Sequence, residues 1–239
     1  MQNQEGFISI QELSKTFGKF RALEKINLSI NAGEIFGILG LNAAGKTTLL
    51  RCLVNFLKPD ILKGPIFFKS NPLTEKETHN YFGYLPEDFH PPLNLSAEEL
   101  LTFLSSNSDS KLPVKTCLEM VGLFEEKSKK IKTYSRGMIQ RLGLAIALLK
   151  DPQVIILDEP ILGLDLAGQR HIFSLLKTLN HKGKTIILST HIFPYIEKFC
   201  HRIGVIHKGK LRFTGSIEDF LAKQNTASLE DAFLKEVGI

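Results

Sequence analysis

The chain has no tryptophan, only three cysteines and three methionines, and no apolar stretch that approaches the length of a membrane span. Its richest apolar runs, Leu144 to Leu149 and Val154 to Leu157, are short. Met1-Gln2-Asn3-Gln4-Glu5 offers no basic segment leading into an apolar core, so no secretory leader is expected. Cys52, Cys117 and Cys200 are isolated and odd in number. They argue against a disulfide framework or a cysteine metal site and suit reduced, buried thiols. There is no internal repeat and no low-complexity segment. Charge of one sign is also scarce: the net charge of +5 is spread along the chain. Only Lys127 to Lys132 is locally dense, and it lacks interleaved aromatics, so it reads as a solvated helix end rather than an anion-binding patch.

What is present is ordinary globular material: 239 residues, 43% hydrophobic and 23% charged, enough for one large domain or two small ones. Phe7 to Leu13 and Ile26 to Ile30 alternate apolar and polar residues and are expected to be half-solvated, antiparallel strands. Glu34 to Leu39 is an apolar strand, and Ile66 to Phe68 another short one. Leu49, Leu50, Leu53, Val54 and Leu57 keep helical spacing ahead of Pro59. Pro91 and Pro92 break the chain. Ser96-Ala97-Glu98-Glu99 is then a capping-box pattern that opens a helical stretch. Ser135 is placed as the N-cap of a helix whose apolar stripe is Ile139, Leu142, Ala145, Ile146 and Leu149. Val154 to Leu157, Thr185 to Leu188 and Ile203 to Ile206 are buried strands, and Gln169 to Leu179 a helix with Gly183 beyond its end. Lys208-Gly209 turns into a strand over Lys210 to Phe213, and short helices follow from Ser216. Strands alternating with helices imply a mainly parallel sheet with an antiparallel edge.

Between the strand at Leu39 and the helix at Leu49 lies Gly40-Leu41-Asn42-Ala43-Ala44-Gly45-Lys46-Thr47-Thr48. Gly, four residues, then Gly-Lys-Thr is a phosphate-binding loop, and its position between strand and helix strengthens the match. Consecutive backbone N–H groups of such a loop curl around phosphates, and the helix N-terminus adds partial positive charge. Lys46 reaches the outer phosphates and the Thr47 hydroxyl is placed for magnesium. The ligand class is therefore a nucleoside triphosphate with Mg2+. Downstream, Val154 to Leu157 ends in Asp158-Glu159-Pro160. The first acid at the end of a sheet strand can bind magnesium, and the second can orient or deprotonate water.

With these two motifs in this order, the chain resembles the nucleotide-binding subunit of an ATP-binding cassette transporter over essentially its whole length. The resemblance implies an α/β fold: a P-loop NTPase core with a mainly parallel sheet, an antiparallel β subdomain and a helical insertion. Residues 1–87 and 136–215 would form the core, 88–135 the insertion and 216–239 a helical tail. It also implies roles for further residues. Phe17 falls where the family stacks an aromatic on adenine, the alternative being an edge-strand Phe turned into the core. Tyr134-Ser135-Arg136-Gly137-Met138 falls at the signature motif, which reaches the ATP of the opposite subunit. Gly163-Leu164-Asp165 matches the D-loop at the dimer interface, and Ser189-Thr190-His191 the switch histidine. Glu159, His191 and Lys46 are then the catalytic residues. Thr47, Glu87 and Asp158 are the magnesium ligands.

Several positions depart from the family pattern. Glu87 in Gly83-Tyr84-Leu85-Pro86-Glu87 stands where Gln is usual, and it brings charge beside Asp158 and Glu159. Ala43 replaces a frequent Gly, Arg136 the first signature Gly and Met138 the usual Gln. Ile161, Leu162 and Leu166 replace residues common around the D-loop. The implied partners are a second ATPase subunit, as homodimer or heterodimer, and integral membrane permease subunits, with no nucleic acid. The implied location is cytoplasmic, on the membrane face through those partners. Phe82 to Leu95 offers either a groove for a coupling helix or ordinary loop packing. The end of the chain, Ser228-Leu229-Glu230-Asp231-Ala232-Phe233-Leu234, resembles exporter-type subunits. The competing function is a soluble cassette ATPase acting on nucleic acid or ribosomes. Such members show two cassettes or a long coiled coil, and neither is seen here.

Overall fold

The computed structural model describes residues 6–60 and 66–239; Met1 to Glu5, taken above to lack a leader, lie outside them. β1 (Ile8–Phe17) and β2 (Phe20–Ile30) form an antiparallel hairpin. One face of the hairpin is covered and the other meets solvent, which is why its residues alternate. β3 (Ile35–Leu39) follows and leads across a loop into α1 (Lys46–Leu53). α1 stops short of the apolar spacing that runs on to Leu57. Asn55 turns left-handed at φ 59°, and the Phe56 and Leu57 N–H groups both donate to the Arg51 carbonyl, at 2.9 and 3.2 Å. Such i+5 and i+6 bonds close a helix end.

β4 (Phe67–Phe68) and β5 (Asn71–Pro72) extend the hairpin into a four-stranded sheet of order β2-β1-β4-β5. α2 (Glu75–Tyr81) and β6 (Phe82–Leu85) come next. Neither is announced by hydrophobic periodicity. α2 is short and polar, and its only sequence signal is the capping box between Thr74 and Glu77. In α3 (Ala97–Ser106) the expected capping box between Ser96 and Glu99 is made in both directions, and α4 (Val114–Met120) completes this helical stretch. Lys127 and Lys130 cap the facing ends of two short 3₁₀ turns rather than an α-helix, and with Lys129 between them they pair with Glu98 (Lys127), Glu126 (Lys129) and Glu99 (Lys130).

The remaining elements alternate: α5 (Arg136–Leu148), β7 (Val154–Asp158), α6 (Leu166–His181), β8 (Thr185–Ser189), α7 (Phe193–Phe199), β9 (Arg202–His207), β10 (Lys210–Gly215), α8 (Ile217–Gln224) and α9 (Leu229–Val237). The second sheet has the order β10-β9-β3-β8-β7-β6 and is parallel except where β10 pairs with β9.

β3, β7 and β8 are buried at every position because both faces are covered. Successive side chains feed opposite cores. Ile35, Leu39, Ile155, Leu157, Ile186 and Leu188 join the cluster built with α5, α6 and the helical stretch. Phe36, Ile38, Val154, Ile156 and Ile187 join the cluster beneath the antiparallel sheet and α1. A central sheet clamped on both faces fixes the ends of its strands, and the site is built on those ends.

Candidate nucleotide site

Four adjacent parallel strands, β3, β8, β7 and β6, end at the same edge of the sheet. Asp158 is in register with Ser189, and Ser189 with Ile38. This alignment brings Gly40 to Thr47, Ser189 to His191, Asp158-Glu159 and Glu87 to one place, the carboxyl edge of an open α/β sheet where ligands bind.

The loop after β3 curls tightly. Gly45 takes φ 113°, and a Cβ there would sit 2.7 Å from the Ala22 carbonyl oxygen. Only glycine fits that turn and that approach. Ala43 also adopts a left-handed conformation, φ 60°. This is the backbone angle Ala suits poorly, and it costs on the order of 1 kcal/mol. Gly40 is buried against the Ile206 carbonyl and lends its own carbonyl to Lys46.

Lys46 is itself buried. Its Nζ donates to the Gly40 and Leu41 carbonyls at 2.8 and 3.3 Å and lies 3.6 Å from Glu159 Oε1. Glu159 Oε2 is 3.1 Å from His191 Nδ1, so one carboxylate bridges the lysine and the histidine. Glu159 holds φ 48°, a left-handed angle that costs any residue with a Cβ, and its N–H is fixed by the Ser189 carbonyl at 3.2 Å and Ser189 Oγ at 3.0 Å. Ser189 Oγ in turn donates to Asp158 Oδ1 at 2.6 Å. The sequence marks Ser189 only as a neighbour of His191; its part in aligning both acids emerges from the register of β7 against β8.

Asp158 Oδ2 is buried with no hydrogen-bond partner among the described residues. Among the described residues no three His, Cys, Asp or Glu side chains converge to hold a metal by themselves. An unpartnered buried carboxylate oxygen, with the Thr47 hydroxyl at the start of α1, fits magnesium, which takes one or two carboxylates and completes its shell with phosphate oxygens and water. Glu87 lies at the rim of the same cleft, and its carboxyl is held above the usual range by burial and by the charges of Asp158 and Glu159. A cation there would relieve that repulsion.

The cleft has a volume of about 320 Å³. One end is the loop from Leu41 to Thr48 with Glu87 and Glu159; the other is Phe17, Phe20 and Ala22. Phe17 is 47% exposed, so it is not an edge-strand core residue, and Phe20, its cross-strand partner, is 59% exposed on the same rim. Sequence reasoning missed Phe20 and Ala22, whose only signal is their position in the hairpin opposite the loop.

Ser135, Arg136, Gly137 and Asp165 do not join this cleft. They line a separate hollow of about 480 Å³ with Arg141 and His171. Ser135 caps α5, its Oγ accepting the Met138 N–H at 3.2 Å, and Asp165 caps α6 through the Gly168 N–H at 2.7 Å. The Met138 side chain is half-buried against the core rather than turned to the hollow. The Arg136 side chain lies over Gly163, where a Cβ would come within 2.8 Å of its Nε. Glycine at φ 74° leaves room for that guanidinium.

Known proteins resemble this chain in sequence and in fold. Residues 23–162 match the family model described as ABC transporter. An uncharacterized ABC transporter ATP-binding protein of Synechocystis is 33% identical over 91% of this chain and 65% of its own length. The chain thus spans less than two thirds of that relative. The bacitracin transport ATP-binding protein of Enterococcus faecalis is 38% identical over 88% of this chain and 70% of its own length. Among solved structures, an ATP-binding subunit of an ABC transporter superposes with a TM-score of 0.85 at 24% identity, covering 96% of this chain and 99% of the other. A dimeric bacterial ABC transporter cassette gives 0.77 at 27% identity, covering 87% of this chain and 98% of the other. By its sequence match and its relatives, the chain belongs to the ABC transporter family.

Proposed function

We propose that the chain binds ATP with magnesium in the cleft between Phe17 and Glu159 and hydrolyses it as one half of a head-to-tail pair. The observation that carries this is Glu159, held between Lys46 and His191 at 3.6 and 3.1 Å and aimed into the phosphate loop. In this reading Phe17 stacks on the base and Lys46 leaves the Gly40 and Leu41 carbonyls for the outer phosphates. Glu159 takes a proton from the attacking water, and His191 orients that water and the γ-phosphate. A magnesium ion held by Asp158, Thr47 and Glu87 would neutralise charge on the phosphates. The separation of the Ser135–Arg136 hollow from the cleft supports a site completed in trans: the helix N-terminus at Ser135 and the Arg136 guanidinium would face the phosphates of the partner.

The work done is transport, by permease subunits in the membrane. Among the described residues no helix is long and apolar enough to cross a membrane. A groove of about 620 Å³ runs between α1, α2, β6, α3 and α5, lined by Phe56, Phe82, Tyr84, Leu104 and Ile146 among others. Phe56 is 74% exposed at its edge. We assign this groove to an amphipathic cytoplasmic helix of the permease, which would hold the chain at the cytoplasmic face. It shares Phe82 to Tyr84 with the stretch singled out in the sequence, while Pro91 and Pro92 are not among its lining residues. Export is the favoured direction, from the end of the chain and from a relative named for bacitracin transport. The pairing of Lys127, Lys129 and Lys130 with glutamates disfavours a nucleic-acid surface.

The test is magnesium-dependent ATP turnover by the purified chain. Lys46→Ala should lose ATP binding. Glu159→Gln should bind ATP yet turn over at least about a hundredfold more slowly, the contribution of a general base. Wild-type turnover in Glu159→Gln would remove Glu159 from that role.

A further inference from the structure

Gln169 lies in the first turn of α6, half-buried, four residues after Asp165. Its side chain is used at both ends. Nε2 donates to the Leu164 carbonyl at 3.0 Å, and Oε1 accepts from the Tyr195 hydroxyl at 2.6 Å. The amide is suited to this because it carries a donor and an acceptor on one planar group. The Tyr195 ring has little freedom: it stacks on Phe173 of α6 at 4.4 Å and 8°, and Phe173 also stacks on Phe199 of α7. The Tyr195 N–H donates to the carbonyl of Ile192, next to His191. At the other end, the Leu164 side chain packs within 3.3 Å of a Cβ position on Gly137. The contacts therefore run without a gap from the first turn of α5, through the Asp165 loop, to the segment that carries His191.

We infer that Gln169 is a positioning residue that locks the Asp165 loop to the His191 segment through Tyr195, so that a second subunit pressing on that loop resets His191 against Glu159. The inference rests on the ATPase reading for its consequence, but the linkage is a property of the chain alone. Leu166 next to Asp165 is 70% exposed, which leaves the loop accessible to such a subunit.

Two variants isolate the bridge. Tyr195→Phe removes one oxygen and keeps the ring stack; Gln169→Leu removes both hydrogen bonds. The first readout is the ring resonances of His191 in the nucleotide-free chain labelled with ¹⁵N-histidine, assigned by His191→Gln. Both variants should shift them in the same direction, and the double variant should match Gln169→Leu rather than add to it. The second readout is kinetic. In Tyr195→Phe kcat should fall about tenfold, the loss of one net hydrogen bond, and in Gln169→Leu, which loses two, at least as far, with KM for ATP within about twofold of wild type in both. Unmoved His191 resonances, additive effects, or a rise in KM at constant kcat would each overturn the bridge. Concerted shifts in the two variants, with no ATP turnover by the wild-type chain, would instead overturn the ATPase reading and leave the bridge standing.

Discussion

Ser189→Ala should destabilise the nucleotide-free protein by about 2 kcal/mol. Ser189, Asp158 and Glu159 are all buried, at 0%, 0% and 4% exposure. The serine hydroxyl donates to Asp158 Oδ1 at 2.6 Å, and the other oxygen of that carboxylate already lacks a partner. Without the hydroxyl, neither oxygen is held by a described residue. A hydrogen bond to a charged group is worth roughly 1.5–3 kcal/mol net. The Glu159 N–H keeps the Ser189 carbonyl at 3.2 Å, so its share of the loss is small. Two kcal/mol is about a thirtyfold change in the unfolding equilibrium, or a melting shift of about 4–8 °C for a chain of this size. Urea and thermal melts followed by circular dichroism, without magnesium or nucleotide, measure it; with no tryptophan in the chain, tryptophan fluorescence is not an option. In an Asp158→Asn background the same replacement should cost less than half as much, because the acceptor is no longer a carboxylate. Stability within about 0.5 kcal/mol of wild type, or an equal loss in both backgrounds, would refute the argument.

The raised Glu87 carboxyl gives a pH-dependent outcome. A carboxyl that titrates higher in the folded chain than in the unfolded one costs nothing below its ordinary range and destabilises increasingly as pH climbs through it. Glu87→Gln should therefore raise the melting temperature at pH 8, with the gain shrinking as pH falls into the ordinary carboxylate range; a lower melting temperature at pH 8 would contradict it. Burial pushes the Cys52 thiol up to about 12, the Cys117 thiol to about 11 and the Cys200 thiol upward as well. Iodoacetamide at pH 8 should label none of them until urea unfolds the chain, and prompt labelling of the native protein would show that one is accessible. At Ala43, φ 60° is tolerable for alanine but strained for a β-branched side chain. Ala43→Val should weaken ATP binding by calorimetry about tenfold or more, from a strain of 1–3 kcal/mol, and unchanged affinity would show that the loop relaxes.

The phosphate loop and the paired acids stand out because each is a short contiguous pattern whose chemistry demands those residue types, whereas His191 was marked only by the family resemblance. The strands were legible because β3, β7 and β8 are continuous apolar runs, as burial on both faces requires. α2 and α7 were not: each has seven residues, too few for a helical stripe, and α2 is marked only by its Thr74–Glu77 capping box. Ser189, Phe20 and Gln169 were hidden for a different reason. Their roles depend on which residue lies opposite in another strand or on another helix, and that register is set by packing. Arg136 shows the limit from the other side. Its identity as a departure is plain in the sequence, but that its side chain lies over Gly163 follows only from the juxtaposition of α5 with the Asp165 loop.

The central claim is that one chain holds only half of each site: Lys46 and Glu159 in one cleft, Ser135 and Arg136 in a separate hollow. Sedimentation of Glu159→Gln with and without ATP and magnesium tests this most directly. The account predicts a monomer without nucleotide and a stable dimer holding two ATP molecules when both are added, with the dimer lost in Glu159→Gln/Ser135→Arg. A variant that binds ATP fully and stays monomeric, or that hydrolyses ATP at the wild-type rate, would contradict it.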